Sequence, residues 1–324
     1  MKKKLCAGLL LSALLVYLSI RGIDFADVAG GFRAFRYGFL PAILAVMLLM
    51  QLLRSYRWGL ILRPLERVDQ LSLFAVTSVG FLAIIAIPAR LGEVVRPYLI
   101  TKKSGIRMSS AVGTIVVERV LDSLTVLFIA VFVLLFTPLP AWLVRSSILF
   151  LLLTLALVSV MILLIVRREA SLRVLGPLIG KLPPRYAEAT QRLICQFLDG
   201  FRIMADPALL LSVAWLSIVI WLVDVYAIYL LFRAVNFQLP VVAAFVLMII
   251  LIIGIAIPTA PGFIGNWHYS CILGLGLFGV PKTDALTFAI IYHILSVAVV
   301  IVLGLLFLPF NRFSLGDLSR QSAS

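Results

Sequence analysis

The sequence predicts an all-α protein: a polytopic transmembrane helical bundle of about eight crossings, with two broken or re-entrant segments in an inverted repeat. Three observations carry that prediction. Of the 324 residues, 63% are hydrophobic and only 13% charged, with a mean hydropathy of +1.16. A soluble domain carries about 25% charged residues, so this chain cannot cover its own surface in water. Several runs reach the ~20 apolar residues that cross a ~30 Å hydrocarbon core, most clearly Ala111–Phe136, Leu143–Val166, Ala208–Phe232 and Ala285–Pro309. Their length and leucine content favour helices over the ~10-residue alternating strands of a membrane barrel. The basic residues, finally, sit between the apolar runs rather than on a polar domain.

The elements follow in order. Met1-Lys2-Lys3-Lys4 precedes the apolar stretch Leu5–Ile20 with no small-x-small cleavage site behind it, which makes it an uncleaved signal anchor with its lysines in the cytoplasm. Cys6, Cys195 and Cys271 form no CxxC and no even framework, so neither a disulfide nor a metal is predicted from them. Arg21–Gly38 is an outside loop, and a helix over about Phe39–Leu53 returns inside, with Arg54, Arg57, Arg63 and Arg67 in or next to the next loop. Leu71–Ile87 heads outward to Pro88. The stretch Ala89-Arg90-Leu91-Gly92-Glu93-Val94-Val95-Arg96-Pro97 is too charged for a lipid-facing helix, and Lys102, Lys103 and Arg107 after it belong in the cytoplasm. The chain therefore comes back across or partway between Pro88 and Thr101.

Ala111–Phe136 and Leu143–Val166 then cross, and the polar stretch Arg167–Pro207 follows. Within it, Tyr186–Ala205 sets Leu193, Ile194, Phe197, Leu198 and Phe201 at helical spacing, the pattern of an interfacial cytoplasmic helix. Ala208–Phe232 and Val241–Ile257 cross again, Pro258 opens the second broken segment to about Gly279, and Ala285–Pro309 ends inside. No segment is large enough for a separate soluble domain, so residues 1–324 read as one transmembrane domain.

The formal net charge of +14 invites a nucleic-acid reading, which the distribution of charge argues against. On this layout nineteen lysines and arginines fall inside, six outside, and Arg90, Arg96 and Arg119 at membrane depth. That asymmetry is the positive-inside signature, and a basic cytoplasmic rim also attracts anionic headgroups.

The broken segments match in layout. Each runs from an apolar stretch through Ile-Pro (Ile87-Pro88, Ile257-Pro258) and a glycine-containing polar stretch to a helix, carrying Glu118-Arg119 in the first and Tyr292-His293 in the second. The repeat-like units are about 71–136 and 241–309. The first begins outward and the second inward, as in transporters whose site lies at a repeat interface near the midplane. Proline removes a backbone donor, and non-helical backbone at membrane depth survives only against protein or a water-filled cavity. Free helix N-termini there offer N–H donors to an anion.

Charge inside the membrane narrows the site. An ionisable group at the bilayer centre costs about 2.5–3.5 kcal/mol on insertion scales, so it is paired or lines a polar cavity. Glu118 and Asp122 share a helix face while Arg119 points roughly 100° away, which lets Arg119 pair with Glu93 across a helix interface and leaves Glu118 or Asp122 another partner. The bland alternative is a network that only fixes packing. Asp224 with Trp221 is a weaker signal. His268 and His293, with no adjacent acid, make a metal site unattractive, and a lone membrane histidine is more often a hydrogen-bonded packing residue. No P-loop is present, and no cofactor is expected.

The stretch Pro88–Leu99, the run Glu118-Arg119-Val120-Leu121-Asp122 and the turn Pro261-Gly262-Phe263-Ile264-Gly265 together resemble the lysylphosphatidylglycerol synthase transmembrane-domain family, the flippase-like family. The resemblance implies a protein that moves, or helps to move, a phospholipid or polyprenyl-type lipid between leaflets. It carries over to Arg90, Gly92, Glu93 and Arg96, to Glu118, Arg119 and Asp122, and to Pro261, Gly262 and Gly265. Two places depart: Asn266-Trp267-His268 stands where the family often has an acid, and Tyr292-His293 where it often has Tyr-Arg. His268, Tyr292 and His293 join the candidate site on their position. The chain lacks the soluble aminoacyl-transferase domain of full-length synthases, so lysyl transfer is not expected.

The leading expectation is a lipid flippase or lipid-handling transporter rather than an enzyme. A membrane-embedded transferase with Glu93, Glu118 or Asp122 as base, or a purely structural subunit, are the alternatives. Expected partners are membrane lipids with an anionic headgroup and, in a homo-oligomer, further copies of the chain. The expected location is the bacterial inner membrane, multi-pass, with both termini cytoplasmic.

Overall fold

Short polar side chains and prolines set where the helices begin. Asp24, Asp69 and Asp206 accept the backbone N–H of Ala26, Ser72 and Leu209 at 2.8, 2.8 and 3.0 Å, satisfying donors that a helix start leaves orphaned. Pro41 and Pro207 sit in first turns, where their missing N–H costs nothing. The computed structural model describes residues 2–87, 92–136, 140–166, 183–257 and 260–311. Among these the chain forms twelve α-helices and no strand. They are α1 Lys2–Ile20, α2 Phe25–Arg33, α3 Leu40–Leu62, α4 Gln70–Ala86, α5 Val95–Thr101, α6 Met108–Phe136, α7 Ala141–Val166, α8 Pro184–Asp199, α9 Pro207–Ala234, α10 Val241–Ala256, α11 Asn266–Gly276 and α12 Lys282–Phe307.

The protein is a multi-pass helical membrane protein. Among the described residues, four helices are long and apolar enough to cross a bilayer, or up to five if α1 and α2, bent by 79°, count as one span; α4 and α10 are shorter apolar helices. Two boundaries differ from the sequence reading. The expected outside loop contains α2. The helix expected to end near Leu53 continues as α3 to Leu62, so Arg54 and Arg57 lie in the helix and not in a cytoplasmic loop. Trp58, Ile61 and Leu62 beyond them are buried, and that apolar turn carries the helix past its charges.

The two interrupted stretches are hairpins. Glu66, just before α4, accepts the backbone N–H of Gly105, just after α5, at 2.8 Å. The hairpin α4–α5 thus ends on the side where it began. At the opposite end, Arg36 N–H donates to the Ala234 carbonyl at 2.9 Å and Lys282 to that of Arg21 at 2.6 Å. The start of α3, the end of α9 and the start of α12 gather there.

Helices α3 to α6 and α9 to α12 repeat one order of elements. Their lengths are 23, 17, 7 and 29 residues, then 28, 16, 11 and 26. Equivalent helices run in opposite directions. Arg36 meets Ala234 at one end of the α3–α9 pair, and Arg57 donates to Ser217 Oγ at 2.8 Å near the other. Helix α4 packs on α12 and α10 on α6, while α3 and α9 each touch both α6 and α12. Every one of these contacts has its counterpart when the two stretches are exchanged.

Candidate functional site

A cavity of about 280 Å³ opens where the two stretches meet. Helix α3 contributes Met50, Gln51, Arg54 and Arg57, and α9 contributes Ile220, Trp221, Asp224 and Ala227. Each of these four pairs is separated by 170 positions, as are Gly92 and Gly262. Glu118, Arg119 and Asp122 on α6 face it opposite Tyr292, His293 and Ser296 on α12, three pairs each 174 positions apart. The lining is thus drawn from matching positions of two oppositely directed helix sets, but its chemistry is not matched.

The first set supplies a closed ion network. Arg57 donates to both carboxylate oxygens of Asp122 and approaches Glu118 at 3.7 Å. Arg96 makes a two-pronged contact with Glu118, both bonds 3.0 Å, and Arg119 adds a third donor to Glu118 at 2.8 Å. Trp221 Nε1 donates to Asp122 at 3.3 Å. Arg57, Arg96 and Glu118 are each only 2% exposed, where an uncompensated charge would be costly and a paired one is tolerated. Arg96 also lies 4.3 Å above the Trp58 ring, a cation–π contact that holds its guanidinium towards α6. Gly80 makes room for it: a Cβ there would come within 2.1 Å of the Arg96 side chain.

Neutral groups secure the second interruption. Asn266 donates to the Gly254 and Ile257 carbonyls at 2.9 and 2.8 Å, covering the open end of α10. His293 Nε2 meets the Gly262 carbonyl at 2.8 Å, at a residue whose φ of +69° suits glycine. Ser12 on α1 donates to the Ile264 carbonyl. Trp267 packs against Tyr292 with ring centroids 4.8 Å apart, and His268 stands edge-on to His293 at 4.9 Å. The Gly254, Ile257, Gly262 and Ile264 carbonyls around the break are in this way satisfied by protein, as membrane depth requires.

The profile of the family described as Lysylphosphatidylglycerol synthase TM region matches residues 5–304. The chain belongs to the lysylphosphatidylglycerol synthase TM region family. This is a membrane-protein family linked to lipid handling. Among similar proteins is a UPF0104 membrane protein of Methanothermobacter thermautotrophicus, 24% identical over 279 residues, covering 81% of this chain and 82% of the relative. A UPF0104 membrane protein of Methanocaldococcus jannaschii is 24% identical over 222 residues, covering 67% and 89%. No solved structure matches the chain.

Of the positions carried over from the family resemblance, Glu93, Glu118, Arg119, Asp122 and Gly262 line the cavity, as do Tyr292 and His293. Arg90 lies outside the described residues. Arg96 sits behind the wall as the partner of Glu118. Gly92 packs so closely on α4 that a Cβ would lie 2.3 Å from the Ala83 carbonyl. Pro261 begins the turn that carries Gly262 and does not face the cavity. Gly265 instead abuts Ser12 and Leu15 of α1, and His268 stands one ring behind His293. Arg119 bonds to Glu118 at 2.8 Å and lies 3.7 Å from Asp122 on its own helix. Glu93 still acts on it electrostatically.

Sequence reasoning missed Arg54 and Arg57 and undervalued Asp224. The signal was present: Ser217, Trp221 and Asp224 fall at helical spacing inside an apolar run, as do Gln51, Arg54 and Trp58.

Proposed function

We propose that the protein is a lipid flippase or lipid-handling transporter that passes the headgroup of a phospholipid or polyprenyl-type lipid through this cavity. The observation that carries the reading is the lining itself, drawn from matching positions of two oppositely directed helix sets. The expected units 71–136 and 241–309, each extended at its start by one helix (α3 and α9), then form an inverted repeat, the build in which a midplane site is exposed alternately to each side. Arg54 lines the cavity and holds no carboxylate among the described residues, so its guanidinium suits a phosphate. The positive-inside bias supports a place in the inner membrane with both termini cytoplasmic.

A transferase reading fits the site less well. The oxygens of Glu118 and Asp122 are already occupied by guanidinium donors, which leaves them poorly placed to accept a substrate proton. Proteoliposomes holding a panel of fluorescent lipids (anionic, zwitterionic and polyprenyl phosphate) test the proposal. At least one lipid is expected to redistribute faster than in empty liposomes. Redistribution at the empty-liposome rate for the whole panel overturns it, and a covalently altered lipid by mass spectrometry favours the transferase.

A further inference from the structure

One face of α8 is docked and a second is not. Ile194, Phe197 and Leu198 turn inward and pack, with Phe201 just beyond the helix, into a cluster shared with α6 and the start of α9. The joint is close. A side chain at Gly113 of α6 or at Gly200 would run into the backbone opposite, and Ser109 donates to Gln196 at 2.7 Å. Tyr186 and Leu193, two turns apart and so on one side of the helix, are nevertheless 63% and 57% exposed. Ala189 lies exposed between them and Arg192 exposed beside them. A helix that needed only its seat on α6 would carry polar residues there.

The same end of the molecule is charged in one sense. The bond from Gly105 to Glu66 brings the turn between α3 and α4 to the start of α6, where α8 is seated. Acids at this end are taken up by the chain itself: Glu66 by the Gly105 amide, Asp69 by that of Ser72, Asp206 by that of Leu209 and Asp199 by Arg202. Glu188 remains exposed on α8. Arg63, Arg67, Arg107 and Arg192 are exposed and hold no carboxylate among the described residues. The stretch before α8 adds Arg167, Arg168, Arg173 and Lys181 against Glu169.

Apolar side chains beside uncompensated arginines suit an anionic bilayer surface, where the first enter the headgroup–acyl boundary and the second meet lipid phosphates. That surface is also within reach, since α8 is seated against the first turns of α9, a helix long and apolar enough to span. We propose that α8 anchors the chain to an anionic leaflet surface, with Tyr186 and Leu193 in the boundary and Arg192 on phosphate. This surface is separate from the cavity, and the proposal holds whatever the cavity carries.

Hydrogen exchange of the full chain in nanodiscs, read by mass spectrometry over residues 184–193, tests it. Exchange is expected to be about tenfold slower in discs of phosphatidylcholine with phosphatidylglycerol than in phosphatidylcholine alone, the effect of one or two arginines near a charged surface. High salt should shrink the difference. Arg192→Gln is expected to reduce it to about twofold, and Tyr186→Ser with Leu193→Ser to speed exchange in the anionic discs. Both variants change exposed side chains, and an unaltered thermal unfolding curve in detergent confirms their fold. Equal exchange of the unmodified chain in the two discs, or a difference that neither variant reduces, overturns the proposal. Protection that arises only on adding a soluble protein, with both discs alike, assigns the face to a protein partner and overturns it too.

Discussion

The two interruptions solve one backbone problem with different chemistry. Behind the first, Arg96 reaches across to Glu118 on α6 and the joint is ionic. At the second, Asn266 caps α10, His293 takes the Gly262 carbonyl, and Trp267 packs on Tyr292. Tyr292 stands where α6 has Glu118. An ionic joint is rigid but intolerant, because removing one partner strands the other in a dry place. A joint of amide, imidazole and aromatic rings loses single hydrogen bonds at a time. The first unit is therefore the stiffer half of the cavity wall, and the second is the half that yields more readily.

The largest effect should come from Glu118→Ala, which leaves Arg57, Arg96 and Arg119 without their shared partner. A loss of about 3–5 kcal/mol is expected, read as a collapse of the monodisperse peak and of thermal stability in detergent. A shift of under about 1 kcal/mol would break the contrast between the two joints. Asn266→Ala removes two hydrogen bonds at a carbonyl end and should cost about 1–3 kcal/mol; an effect equal to that of Glu118→Ala would show the second joint to be no softer. Gly92→Ala drives a methyl into the α4 backbone and should cost about 1–3 kcal/mol through overpacking, with thermal unfolding again the readout.

The smallest effect is expected at Asp69, whose carboxylate is held below its ordinary value by the Ser72 amide and hydroxyl. With the folded value depressed, the cap contributes above the unfolded value near 3.9 and fades as pH falls through the folded one. Asp69→Ala should therefore cost about 1 kcal/mol at neutral pH and less in acid. A cost that does not shrink in acid would show that the carboxylate is not what caps α4.

The broad fold was legible because a shortage of charge and long apolar runs admit few alternatives. Both interruptions were legible too, since proline and glycine cluster inside apolar stretches at each, with charge beside them at the first. What sequence could not supply was the partner of each charge. Spacing places Glu118 and Asp122 on one face of α6, but it says nothing of Arg57 and Arg96 arriving there from α3 and α5. Arg54 and Arg57 resemble the arginines of a loop until the buried turn Trp58–Leu62 behind them is weighed. Asp224 looked like an acid near a helix end and becomes meaningful only opposite Arg54.

The bond from Ser12 to the Ile264 carbonyl joins residues 252 positions apart, and Gly265 lies flush against the same turn of α1. In the order of synthesis α1 is made long before the segment that carries Ile264, so this bond closes only when that segment arrives. Closing the second interruption is a late event of assembly. A change to the turn of α1 that holds Ser12 and Leu15 would therefore be felt at the second interruption.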